Sequence, residues 1–148
     1  MGVLTGAYAV SEEQLAILQQ STKDAQEMFS ALGAEDHHSL DKSWEGLLRV
    51  LSATGYDDVR MWLQYAWSFS RRPGESYWLR YLSTNTVSEA GARLKNARAE
   101  DLLRRIERFG LKDSEGWDGW AEYTVSHVIG FGKFLARVAG RPVVLSTG

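Results

Sequence analysis

Core-facing positions at Leu15, Leu18, Thr22, Ala25, Phe29 and Leu32 follow one another at alternating spacings of three and four, which predicts a helix with a single buried stripe. Just ahead of them, Ser11-Glu12-Glu13-Gln14 matches a capping box. In that motif the serine hydroxyl takes the amide of the third helical residue while the glutamine reaches back. Gly33 stands where such a helix would close on a left-handed residue. Val3 to Val10 is rich in β-formers and small residues and predicts a short strand before the helix. Ala34 to Ser39 reads as a polar link.

A second helix is predicted to bury Leu40, Trp44, Leu47 or Leu48, and Leu51, ending near Gly55. Asp57 and Asp58 favour a new start, since carboxylates are stabilised in a first turn, with Val59, Trp62, Leu63, Ala66 and Phe69 on one side. Arg71-Arg72-Pro73-Gly74 ends it in a turn. Ser76 to Leu82 alternates as a strand does. Two caps then compete for the next helix, Ser83 alone or the box Thr86-Val87-Ser88-Glu89, and either places Val87, Ala90, Gly91 and Leu94 on its inner face. A further helix carries Leu102, Leu103, Ile106 and Phe109 up to Gly110.

After Asp113-Ser114 the last helix shows Trp117, Trp120, Thr124, His127 or Val128, Phe131, Leu135 and Val138. Gly130 and Gly132 lie inside it, each costing about 1 kcal/mol against alanine, which points to another backbone coming close. Gly140-Arg141-Pro142 ends the helix and Val143-Val144-Leu145 predicts a closing strand. No repeat or linker interrupts the series, and 148 residues suit one domain spanning 1–148.

The composition is that of a globular chain, with 44% hydrophobic and 24% charged residues. With no cysteine, disulfides, thiolate metal sites and cysteine nucleophiles are excluded, which favours a reducing compartment. The start Met1-Gly2-Val3-Leu4-Thr5-Gly6-Ala7 has neither the basic nor the apolar part of a signal peptide, and no apolar run reaches membrane-spanning length. The expectation is a cytoplasmic protein. The net charge of −2 conceals a split: residues 1–69 carry 4 basic and 10 acidic side chains, residues 70–112 carry 10 and 5. Such a field steers a charged partner, unless the two parts simply pair with each other.

Few residues carry chemistry. Asp41, Lys42, Ser43 and Trp44 place an acid, a base and an aromatic together, and read first as a structural motif: Asp41 pins a helix start and Trp44 enters the core. Six tryptophans and six tyrosines are more than a small core readily hides. Trp67 falls off the apolar face of its helix and Trp78 points opposite to Tyr77 and Leu79. Exposed aromatics of this kind mark interfaces, although core packing accounts for most of the set. Trp120, Tyr123 and His127 share one helix face. His127 reads as a hydrogen-bonded histidine before a general base. His37-His38 lacks further ligands at metal-site spacing, so no metal is expected. Phosphate-loop, dinucleotide and nucleophile-elbow motifs are absent, and neither a catalytic residue nor a cofactor is assigned. The arginines of 93–108 are interleaved with acids, and a pI near 5.9 speaks against nucleic acid.

Taken in order, these residues resemble the YfbM-like family of bacterial proteins, a domain of unknown function of the DUF1877 type. The resemblance rests on Gly2 to Leu18, on Leu40-Asp41-Lys42-Ser43-Trp44-Glu45-Gly46-Leu47-Leu48, and on Tyr81-Leu82-Ser83 followed by Val87 and Leu94. It continues through Trp117, Trp120, Tyr123, Phe131 and Phe134 to Pro142–Leu145. The chain departs from the family's pattern between Tyr56 and Ser76, which is tryptophan-rich where the family has a glycine-rich loop, and at Thr84, where it has proline. The resemblance implies an α+β domain, a small mixed sheet formed by the chain ends and a central strand under five to six helices. It implies no activity.

The functional expectation is a non-enzymatic protein-binding domain, an immunity- or antitoxin-like partner or a phage–host conflict protein. Trp67, Trp78, Tyr81, Trp120, Tyr123 and His127 are its candidate binding residues. The alternative is a small-molecule-binding domain or an uncharacterised enzyme, with a pocket near Trp44, Tyr81, Trp120 and His127. An inert structural domain is a third reading.

Overall fold

A computed structural model describes residues 4–69 and 78–148, Trp78 by its backbone alone. Seven α-helices and a five-stranded sheet follow one another along the described chain. β1 (Thr5–Ala9) leads into α1 (Glu12–Gln20) and α2 (Ala25–Ser30), and a 3-10 turn (Ala34–Asp36) precedes β2 (His37–Asp41). Then come α3 (Trp44–Ala53), α4 (Asp57–Gln64), the two-residue β3 (Trp67–Ser68) and β4 (Trp78–Leu82). α5 (Thr84–Leu94), α6 (Ala99–Arg108), α7 (Trp120–Arg137) and β5 (Val143–Thr147) complete the fold.

The sheet order is β2-β1-β5-β4-β3, so the two chain ends lie side by side at its centre with β4 next to them. The α+β class and a sheet built from the chain ends and a central strand are as the resemblance implied. All four strand pairings are antiparallel, however, so the sheet is not mixed, and seven helices stand where five to six were expected. Side chains alternate across the pleat. Ala7, Ala9, Leu82, Val143 and Leu145 face the larger core beneath α3 to α7. Tyr8, Leu79, Tyr81 and Val144 face a smaller one closed by Leu15, Leu18, Ala25 and Phe29 of α1 and α2.

Several local expectations hold. Both capping-box bonds form, Gln14 N–H to Ser11 Oγ and Ser11 N–H to Gln14 Oε1. Ser83 is the cap of α5, its hydroxyl accepting from the Thr86 amide. Gly55 and Gly110 end α3 and α6 at φ of 92° and 65°. Within α7, a Cβ on Gly132 would lie 2.8 Å from Leu94 Cβ and 3.4 Å from the Leu94 carbonyl oxygen, the close backbone expected, whereas Gly130 faces a side chain, the His38 imidazole at 3.2 Å.

Others are corrected. The long first helix breaks at Ser21, which is extended and whose hydroxyl accepts from the Lys23 amide. Short hydroxyl side chains offer the backbone such alternatives to the helix. Gly33 is likewise extended and caps the 3-10 turn. Part of the polar link is the edge strand β2, with Leu40 buried on its inner face. Phe109 is exposed beyond α6, while Phe69 lies beyond α4 in the smaller core. Trp117 precedes α7, and Val128 is the buried partner in the His127/Val128 alternative. The expected turn at Arg71–Gly74 lies outside the described residues.

Candidate functional site

Asp41 does not open a helix. It ends β2 with φ of 49°, a left-handed conformation uncommon outside glycine, asparagine and aspartate. α3 starts at Trp44, and the Ser43 hydroxyl goes to the Leu40 carbonyl instead of capping it. The turn carries Asp41 outward onto α7, where Tyr123 Oη donates to its Oδ2 at 3.0 Å. The same phenol oxygen accepts from the Lys42 amide at 3.1 Å. Burial first, and then the Asp41 carboxylate, pushes the Tyr123 hydroxyl above its ordinary range. His127 stands edge-on to Tyr123, ring centres 4.7 Å apart, and burial lowers its pKa against the opposing pull of Asp41.

Beside this group opens a cleft of about 460 Å³ between the start of α3, the segment before α7 and the first turns of α7. Its floor includes Gly46, where a Cβ would come within 3.0 Å of Trp120 Nε1 and 3.2 Å of Thr124 Oγ1. Arg49 reaches from α3 to donate to the Lys112 carbonyl at 3.0 Å, with its guanidinium 5.0 Å from the Trp120 ring centre. That tie fixes the incoming segment. Asp113 then holds the turn by accepting from the Trp117 amide at 3.0 Å. Trp117 is left 53% exposed at the cleft mouth, its ring 5.2 Å from Tyr123.

A second surface lies across α4 and β3. Trp67 belongs to the short edge strand, not to a helix, and is 69% exposed opposite Tyr81. Tyr65 (70%) and Met61 (48%) are exposed close by. With Trp62, Tyr81 and Leu82 they line a groove of about 290 Å³.

The sequence-derived residues therefore divide. Trp120 and Tyr123 line the cleft with Asp41 and Lys42, and His127 touches Tyr123. Trp67 and Tyr81 share the groove, and the Trp78 side chain lies outside the described residues. Trp44 is half-buried in a third hollow with Arg80, Leu145 and Thr147. Among the described residues, Trp44, Tyr81 and Trp120 fall in three different hollows instead of sharing one with His127. Sequence reading missed Arg49, Asp113, Trp117 as a cleft residue, and Met61 with Tyr65. The only local trace of the cleft is the Asp113-to-Trp117 spacing, which suits a side-chain-capped turn.

His38 is a separate matter. It projects from β2 onto α7, stacked against Phe134 and Phe131 with ring centres 5.4 and 6.1 Å away. Its Nε2 is buried without a hydrogen-bond partner. Burial, then the charges of His127, Arg137 and His37, hold it below the ordinary imidazole value. The unfolded chain thus takes up this proton more readily than the folded one. The folded state keeps the full benefit above about pH 6.5 and loses stability as pH falls below it. Denaturation midpoints measured between pH 7.5 and 5.5 should fall with acid, and His38→Phe should flatten the slope; an unchanged slope in that variant rules His38 out.

A sequence model of the family described as "Domain of unknown function (DUF1877)" matches residues 1–141. The chain belongs to this family. Among solved structures, this DUF1877 chain is similar to "a Protein of Unknown Function YfbM from Escherichia coli", with a TM-score of 0.63 and 14% identity. The match covers 98% of this chain and 99% of that one, and at such identity it shows a shared fold. No curated protein matches. Among the described residues of this DUF1877 protein, no helix is long and apolar enough to cross a membrane.

Proposed function

We propose that this DUF1877 protein is a binding domain whose partner is another protein, recognised through the α4–β3 surface. The observation that carries this reading is the exposure of Met61, Tyr65 and Trp67 together around one groove. Large aromatic side chains left in water beside a concavity are what interfaces concentrate as anchors. β3 is a two-residue edge strand, so the backbone offers a partner little to pair with and side chains dominate recognition. The expected occupant is a folded partner with an apolar knob and an acidic rim. The segment that follows in sequence, residues 70–112, carries the chain's excess of basic side chains, which would steer such a partner. Neutralisation of a bacterial toxin by an immunity- or antitoxin-like protein is one form of this role, and a phage–host conflict protein is another.

Cross-linking in native cells, followed by rebinding of the identified and purified partner, tests the proposal. Trp67→Ala and Tyr65→Ala should each weaken that complex at least about tenfold, as truncating anchor residues does. Because both side chains are exposed, the unfolding free energy should stay within about 0.5 kcal/mol of wild type. Undiminished affinity in both variants refutes the surface. A second reading, a ligand-binding domain, is favoured by a different observation, the cleft beside Asp41 and Tyr123, whose chemistry is specific enough to name a class of ligand.

A further inference from the structure

Six charged side chains line the cleft. Asp41, Glu45, Asp113 and Glu115 are acidic, and only Lys42 and Arg49 oppose them. Arg49 is already engaged by the Lys112 carbonyl and the face of Trp120. Four carboxylates against two cations leave the concavity an excess of negative charge, and concave walls focus such a field. Its aromatic wall is of the kind that attracts cations, and Arg49 over Trp120 is an internal instance. The neighbouring Trp117 ring is half exposed and held in place by the Asp113 turn. Gly119 backs it so closely that a Cβ there would come within 2.9 Å of the ring. Below Gly46, Thr124 is fully buried with its hydroxyl unpartnered. That oxygen and Trp120 Nε1 both border the space a side chain at residue 46 would occupy.

We propose that this cleft binds an organic cation, an ammonium or guanidinium group that stacks on Trp117 and is neutralised by the surrounding carboxylates. The cation is carried either by a small amine or by a lysine or arginine side chain of a partner. A bare metal ion does not fit the arrangement: the Trp117 face supplies no ligand atom, and among the described residues no three acidic or histidine side chains gather closely enough to hold one. The site shares no lining residue with the α4–β3 groove, so it stands or falls independently of the protein-contact proposal.

The test uses the full chain labelled with nitrogen-15, following the tryptophan indole N–H signals. The probes are agmatine, as a free amine and guanidine, N-acetyl-glycyl-arginyl-glycinamide, as a protein side chain, and acetate as the anionic control. At least one cationic probe should shift the Trp117 and Trp120 signals saturably, while acetate does not. Trp117→Ala should weaken that binding about fivefold and Glu45→Gln about threefold, with circular dichroism confirming that both remain folded. Added salt should weaken it as well. Trp67→Ala should leave it unaltered. A response to agmatine alone identifies a free amine as the source, and a response to the peptide alone a partner's side chain. No saturable shift with either cation, equal binding of acetate, or wild-type affinity in both cleft variants overturns the proposal.

Discussion

Replacing Gly91 by valine is expected to lower the unfolding free energy by about 3 kcal/mol or more, the upper part of the range for overpacking a tight core. α5 and α7 make the most extensive helix-to-helix contact in the fold. They meet at Gly91, which is buried and would place a Cβ 2.9 Å from the Ala136 amide nitrogen and 3.0 Å from the Leu135 carbonyl carbon. These are backbone atoms of the facing helix. They cannot rotate aside, and the two helices must separate. Alanine at the same position sets the clash against a gain of about 1 kcal/mol in helix propensity, so its net loss should be the smaller. Gly132, on the facing helix, would place its Cβ 2.8 Å from Leu94 Cβ, an atom fixed by the α5 backbone, so alanine there should also cost stability, but less than valine at residue 91 because it adds a single methyl. Urea midpoints should thus rank wild type, Gly132→Ala and Gly91→Val in falling order. A Gly91→Val midpoint equal to wild type would mean that the two helices are not so close.

The second large effect is expected from Phe134→Ala, a loss of about 3–5 kcal/mol. Phe134 is fully buried, and it touches the imidazole of His38, the ring of Phe131 and the guanidinium of Arg137. Truncation opens a void where β2 lies on α7, and removes the surface that desolvates His38. The variant therefore carries a second readout. Its His38 pKa should rise toward the ordinary imidazole value, and the acid sensitivity of stability should diminish with it. A loss of stability with no movement of the His38 titration would show that its other neighbours, Phe131 and the Gly130 backbone, suffice to exclude water there.

Much of the architecture was legible because its signals are local. The Ser11–Gln14 capping box, the stripes through α3 to α7, Ser83 before α5 and the closing Val143–Leu145 strand each depend on residues a few positions apart. The errors arose where local signals were balanced. Thr22 keeps the stripe unbroken in sequence, but the hydroxyl of Ser21 beside it decides in favour of a turn. β2 was hidden because an edge strand carries polar residues on one face, and only Leu40 and His38 mark its inner side. Ala66 and Phe69 continue the helical pattern of α4, but by Trp67 the chain has already turned to pair with β4.

The candidate site was legible only in part. Asp41, Lys42, Trp120 and Tyr123 drew attention by their chemistry, yet the first pair was read as the start of α3. The left-handed turn at Asp41 has no sequence signal beyond the tolerance of aspartate for it. Its partner, Tyr123, is contributed by a helix far along the chain.

By itself, the sequence determined most of the elements, because capping, periodicity and turn chemistry act over three or four residues, and its resemblance to the family implied the α+β class. Tertiary structure alone decided which elements meet. Gly91 and Gly132 let α5 and α7 approach, and that contact sets α7 against β2 and the start of α3. The cleft exists only as a consequence, since its carboxylates and its aromatic wall are distant in sequence and converge through packing.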